Sequence, residues 1–320
     1  MNPFDLIYDS DIESLNRYLE VNDINVVDKH HCSLLITAIK LGNNEIFKLL
    51  LKNYIDLSIQ DDKGFNAYHY AVICNRFGYL KTLLSFNNKY YLDLDFKGRN
   101  AIYLSGLYGR YEMFYLFREV YPFSLDIYDS NHESLFMALV RSKNMKLITE
   151  NYDSKYLELE NYLGQTPLFI ATDYNSLLVM NFLIGKGAFV NHKDHFGQTP
   201  IFLAINNKHY KAVEMLIANG AIFDLKDRFS YDLTSKMAEY EEILSKYNYQ
   251  QYIKEFPLHY GIIKNDESII SNNLNISSAF KEDHNGFSPL ELTRRYKNKE
   301  LEKRIYSLHK ESIFLMKKIK

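Results

Sequence analysis

At 320 residues, with 47% hydrophobic and 24% charged side chains, the sequence has the make-up of a folded globular chain and not of a disordered one. Its formal net charge of −2 supplies no broad basic field for nucleic acid. Two cysteines, Cys32 and Cys74, are too few for a disulfide framework and suit a reducing compartment. The opening residues MNPFDLIYDSDIES are acidic and lack the basic start and apolar core of a signal peptide. The longest apolar runs, around 177–180 and 313–316, are far too short to span a bilayer. The expectation is a cytoplasmic monomer with neither a membrane nor a nucleic-acid partner.

Taken in chain order, residues 1–27 read as an N-terminal cap, because PFDLIYDSDIESLNRYLEVNDI fits one degenerate helix pair. From 28 to 234 a single unit recurs. Its marker is a small residue closing a short apolar stretch: Ala38, Ala71, Ser105, Ala138, Ala171 and Ala204, at spacings of 33, 34, 33, 33 and 33. A polar residue able to cap a helix precedes each stretch, as at Ser33, Asn66, Asn100, Thr166, Thr199 and Ser288. Proline follows at Pro167, Pro200 and Pro289, where the first helical position needs no amide hydrogen. A second helix follows with apolar residues at helical spacing: Ile46, Leu49, Leu50; Leu80, Leu83, Leu84; Val213, Leu216, Ile217. Gly187 and Gly220 stand where a left-handed helix end is wanted, with Asn87 at the same offset. A polar loop closes the unit, as in DDKGF, DFKGR, NYLGQ, DHFGQ and DHNGF. Residues 235–254 form an irregular joint, because the register stops at Met237 and resumes early at Gly261. Residues 255–320 then read as the last repeats and a C-terminal cap with Leu301, Ile305 and Leu308 on one face.

This grammar resembles the ankyrin-repeat family, whose T-P-L-H-x-A motif is matched best by TPLFIA, TPIFLA, FPLHYG and SPLELT. The structural motif residues are Gly164, Thr166, Pro167, Gly197, Thr199, Pro200, His69 and His259. The resemblance implies an all-α solenoid of paired antiparallel helices with projecting hairpin-like loops, about eight repeats and two end caps. In the family the motif histidine hydrogen-bonds between neighbouring repeats. Only His69 and His259 keep it; Ile36, Tyr103, Phe136, Phe169, Phe202 and Glu291 stand elsewhere, so most junctions are expected to rest on apolar contact. Degenerate repeats and an AT-rich composition, with 27 Tyr, 21 Phe and no Trp, resemble poxvirus host-range proteins and intracellular bacterial effectors. A bacterial protein neutralising a toxin encoded beside it is the alternative.

Chemical motifs are sparse. DKHHC, at 28–32, resembles a palmitoyltransferase signature but carries an extra Lys29 and lacks the zinc-binding cysteines of that family. HKDH, at 192–195, has no further ligands at metal spacing. No phosphate-binding loop, nucleophile elbow or zinc-protease motif occurs. The reading is therefore no catalytic residue, no metal and no cofactor; an enzyme with a site assembled across the repeats is the rival class. The expected function is binding of a protein partner through the loop tips and first-helix ends. Those positions hold Phe65, Phe96, Tyr162, His195, Phe196 and Phe229, and Leu107, Tyr108, Tyr174, Asn206 and Asn207. Aromatic anchors in a polar rim are what interface hot spots are made of. Charge is uneven: residues 1–28 hold seven acids and one base, whereas 294–320 hold ten bases and three acids. A basic end of this kind suits an acidic partner.

Overall fold

The computed structural model describes residues 2–86, 89–222, 239–240, 242–243, 253–283 and 287–318. The expected joint at 235–254 lies largely outside these residues, as do Phe229 and Asn87. The chain divides into two compact units, Met1–Tyr152 and Asp153–Lys320.

The first unit is a stack of helix pairs. Pro3–Tyr8 and Ile12–Val21 form the cap. Leu34–Leu41 with Asn44–Lys52, Ala67–Ile73 with Phe77–Phe86, Ala101–Leu107 with Tyr111–Val120, and Leu135–Ser142 with Met145–Glu150 follow. The second unit contains Pro167–Asp173 with Leu177–Gly185, Pro200–Asn206 with Tyr210–Ala218, Pro257–Lys264 with Glu267–Asn273, and Pro289–Arg295 with Lys299–Lys318. Among the described residues the only strand-like pairings are isolated bridges, Val27 to Ser33 and Tyr128 to Ser134.

The sequence grammar explains the stacking. Helices of six to ten residues are too short to stand alone in water. Each therefore depends on its neighbours: in the first unit the first helices pack against one another in order, and in the second Pro167–Asp173 packs on Pro200–Asn206 and Pro257–Lys264 on Pro289–Arg295. The marker positions Ala38, Ala71, Ser105, Ala138, Ala171 and Ala204 are all fully buried, which is why a small side chain is needed there. The second helices bury Ile46, Leu80, Leu83, Val213 and Leu216 fully; Leu49 is only half-buried, and Phe47 takes the inner place, stacked on Tyr79 at 4.3 Å.

Helix starts follow the expected caps with one exception. Ser33, Asn66, Asn100, Thr199 and Ser288 each accept from an amide of the first turn. Ser134 does the same from a position whose repeat carries no proline. Thr166 occupies the capping position in extended conformation, but its hydroxyl makes no cap bond. A threonine hydroxyl divides between rotamers, and Pro167 already presets the first helical φ, so the helix starts without it.

The junctions are more polar than the loss of the motif histidine suggests. His69 Nε2 donates to Arg99 O at 3.1 Å and His259 Nε2 to Phe287 O at 2.8 Å, each reaching the next loop. Where the histidine is missing, Tyr103, Phe136, Phe169 and Phe202 are buried in its place. A separate set of bonds ties the residue ahead of four of the second helices to the preceding repeat. Arg76 reaches Lys40 O, Arg110 reaches Ile73 O, Asn144 reaches Gly109 O at 3.0 Å, and His209 Nδ1 donates to Thr172 O at 3.1 Å. The expectation that most junctions rest on apolar contact is corrected to that extent. The carbonyls left over at a first-helix end need donors, and at these four ends the next repeat supplies one.

Candidate functional site

The loops are built alike, from one carboxylate or amide each. Asp61 Oδ1 accepts from the amides of Lys63 and Phe65, both at 2.9 Å. Asp95, Asp129, Asn161 and Asp194 repeat the pattern on their own turns. A glycine at φ between +71° and +79° closes four of these turns, Gly64, Gly98, Gly164 and Gly197. Adjacent tips are then bonded through the backbone. Phe96 N donates to Lys63 O at 3.1 Å, Ser130 N to Lys97 O at 2.8 Å, and His195 N to Leu163 O at 2.9 Å. Side chains at the tips therefore project from a braced backbone, which lowers the ordering cost of binding.

The two units present separate sets of the expected contact residues. In the first, Phe96 is 74% exposed and Tyr108 45%. Leu107 is half-buried. Phe65 is also half-buried, because its ring lies 5.6 Å from His69 and 5.7 Å from Tyr70, with the Arg99 guanidinium 5.9 Å away. In the second unit Tyr162 is 66% exposed, and Tyr174, His195, Phe196, Asn206 and Asn207 are also exposed. His195 Nδ1 donates to Tyr162 O at 3.1 Å, and Asn207 Nδ2 donates to Asp173 Oδ1 at 3.2 Å. Phe229 lies outside the described residues.

Several inward-facing groups were not singled out by sequence. Asp95 Oδ2 takes both Arg99 Nε and a terminal Arg99 nitrogen, at 2.8 and 2.7 Å. Arg141 pairs with Glu133. Tyr70 OH donates to Asp61 Oδ2 at 2.6 Å, and Lys40 Nζ lies 4.4 Å from the Tyr70 ring and 3.1 Å from Cys32 Sγ. Burial pushes the Cys32 thiol above its ordinary value, against the pull of Lys40. A buried, protonated thiol is a poor nucleophile. The Asp95–Arg99 pair was open to detection by its spacing of four. Tyr70 with Asp61 was not, since nothing local tells which side chain a loop carboxylate meets.

The histidine-rich motifs serve the loops. His31 Nδ1 lies 2.8 Å from Asp62 Oδ1 on the next tip. His192 Nε2 donates to Gly164 O at 2.9 Å, while His195 turns to Tyr162 O at 3.1 Å. The two rings of HKDH thus reach different carbonyls. Among the described residues no group of three or more His, Cys, Asp or Glu side chains could hold a metal ion. No helix among them is long and apolar enough to cross a membrane.

Stacked helix pairs with braced, side-chain-bearing loop tips define a repeat module of the kind that works by recognition. The family model for ankyrin repeats matches in three copies, over residues 6–95, 35–128 and 130–227. The chain belongs to the ankyrin-repeat family. Members of this family are generally protein-interaction modules without catalysis of their own. No curated protein matches the chain.

Proposed function

We propose that the chain binds a protein partner through its loop tips and first-helix ends and performs no chemistry on that partner. The observation that carries this reading is the exposure of Phe96 and Tyr162, 74% and 66%, on loops whose backbones are already bonded to their neighbours. Large aromatics fixed in this way bring contact area at little conformational cost. Tyr108, Tyr174 and Phe196 extend the two sets, with Asn206 and Asn207 as polar rim. The compositional likeness to pathogen repeat proteins favours a host protein as the partner.

The test is affinity capture from the native cell, comparing the wild-type chain with the Phe96→Ala/Tyr108→Ala/Phe196→Ala variant. The variant melts within a few degrees of wild type and loses the partner. Identical captured partners, or a collapsed fold, would remove these residues from the binding surface.

A further inference from the structure

The N-terminal cap carries a hollow of about 560 Å³ that the loop-tip reading does not use. Tyr8 and Tyr18 line it from the two cap helices, Val26 and Val27 from the loop that follows, and Asp5 and Asp28 stand among them. Its apolar parts are open to solvent: Tyr8 is 62% exposed and Val27 40%, while Tyr18 and Val26 are half-buried. The surroundings are acidic. Residues 2–29, all of them described, hold seven acids against Arg17 and Lys29, and of these two bases only Lys29 lines the hollow.

Asp5 and Tyr8 stand three apart on Pro3–Tyr8 and so share one face of that helix. Asp5 and Asp9 are both exposed, and neither enters an ion pair among the described residues. The rings of Tyr8 and Tyr18 likewise meet no other ring and no cation among them. Elsewhere the molecule fills such a combination of carboxylate and ring with arginine. In the first unit Asp95 holds the Arg99 guanidinium, which lies 5.9 Å from the Phe65 ring. In the second, Arg295 lies 3.6 Å from Glu158 Oε1 and 4.7 Å from the rings of Phe189 and Phe287. At the cap the carboxylate and the ring are present, and no arginine of the described residues occupies them.

We propose that this hollow docks a basic segment of a protein partner, with an arginine guanidinium on the Tyr8 ring beside Asp5 and an apolar side chain of the same segment on Val26 and Val27. Arginine is favoured over lysine, because a planar guanidinium can lie flat on a ring and still bond a carboxylate at its edge. The acid excess that attracts such a segment repels a polynucleotide or an anionic membrane surface. The proposal rests on the protein-binding reading above for the occupant being a polypeptide. It uses different side chains, so the cap variants and the aromatic variant succeed or fail separately.

The test is fluorescence anisotropy of a short fluorescein-labelled peptide alternating arginine and leucine, titrated with the full chain. Wild type binds, and binding weakens as salt is raised, since exposed charges are screened. Asp5→Asn/Tyr8→Ala binds about tenfold more weakly, with an unchanged circular dichroism spectrum. Asp5→Asn alone shows part of that loss, and Tyr8→Phe, which keeps the ring, binds as wild type. Glu119→Gln, at an exposed acid in the last turn of Tyr111–Val120, also binds as wild type. A peptide with lysine in place of arginine binds more weakly. Absence of wild-type binding, undiminished binding by the double variant, an equal loss in Glu119→Gln, or equally tight binding of a labelled oligothymidylate would each overturn the proposal. Tighter binding of a labelled peptide with the sequence of residues 309–320 would overturn it too, since the occupant would then be a second copy of this chain.

Discussion

Gly164→Ala separates the two physical reasons for a loop glycine. Gly164 sits at φ +76°, and a Cβ built there would stand 2.6 Å from His195 Cδ2 and 2.9 Å from His195 N. The first atom belongs to a side chain that can turn away; the second is backbone and cannot move without the loop. An L-residue in the left-handed region costs about 1–2 kcal/mol. Displacing His195 also strains its 2.9 Å amide bond to Leu163 O. Losing that bond costs about 1 kcal/mol more. Alanine recovers about 0.4–1 kcal/mol by stiffening the unfolded chain. The net loss is therefore about 2 kcal/mol. Gly187 is the matched control, at φ +91° with nothing within 4 Å of its added Cβ. Gly187→Ala should lose only the conformational part, about 1 kcal/mol. Urea titrations followed by circular dichroism, compared at equal slope, measure the difference. Equal losses for the two variants, or a larger one at Gly187, would refute the claim that Gly164 is required by close approach of the next loop.

Other consequences can be checked with the same protein. Thr199→Ala should cost about 1 kcal/mol through its lost cap, whereas Thr166→Ala, whose hydroxyl caps nothing, should cost a few tenths; urea midpoints of the two variants decide it. Burial holds His69 and His259 below the ordinary imidazole value, so both stay neutral in the fold while the unfolded chain takes up protons. Stability should therefore fall as pH drops below about 6.5, by at most about 1.4 kcal/mol per unit per histidine. His69→Gln/His259→Gln should flatten that slope in melts run across this range. Glu158 and Asp194, raised by burial, work the other way: each destabilises the fold when ionised, and that cost is relieved as it protonates at lower pH. Ala171→Leu, at a fully buried marker position, should overpack the stack by about 1–3 kcal/mol, read as a lowered thermal midpoint.

Local signals carried much of the architecture. The period of 33, the capping residues, the prolines and the turn glycines all act within a few residues of themselves, so Ser33, Asn100, Pro200 and Gly98 could be assigned without neighbours. The candidate contact residues were legible only as positions. Phe96 and Phe65 stand one repeat apart at similar loop sites, yet one is 74% exposed and the other is half-buried against His69, Tyr70 and Arg99.

The sequence by itself determined the repeat unit, the helix ends and the family, because each of those is written in short-range hydrogen bonds and in the size of one marker residue. Only the tertiary structure decided which polar groups join the repeats and where the C-terminal region lies. Arg76 reaching Lys40 O, and Tyr296 reaching Asn191 O across a separation of 105 residues, depend on surfaces that exist only once the units have packed. No spacing announces such contacts, since each partner satisfies its own local rules whether or not the other is present.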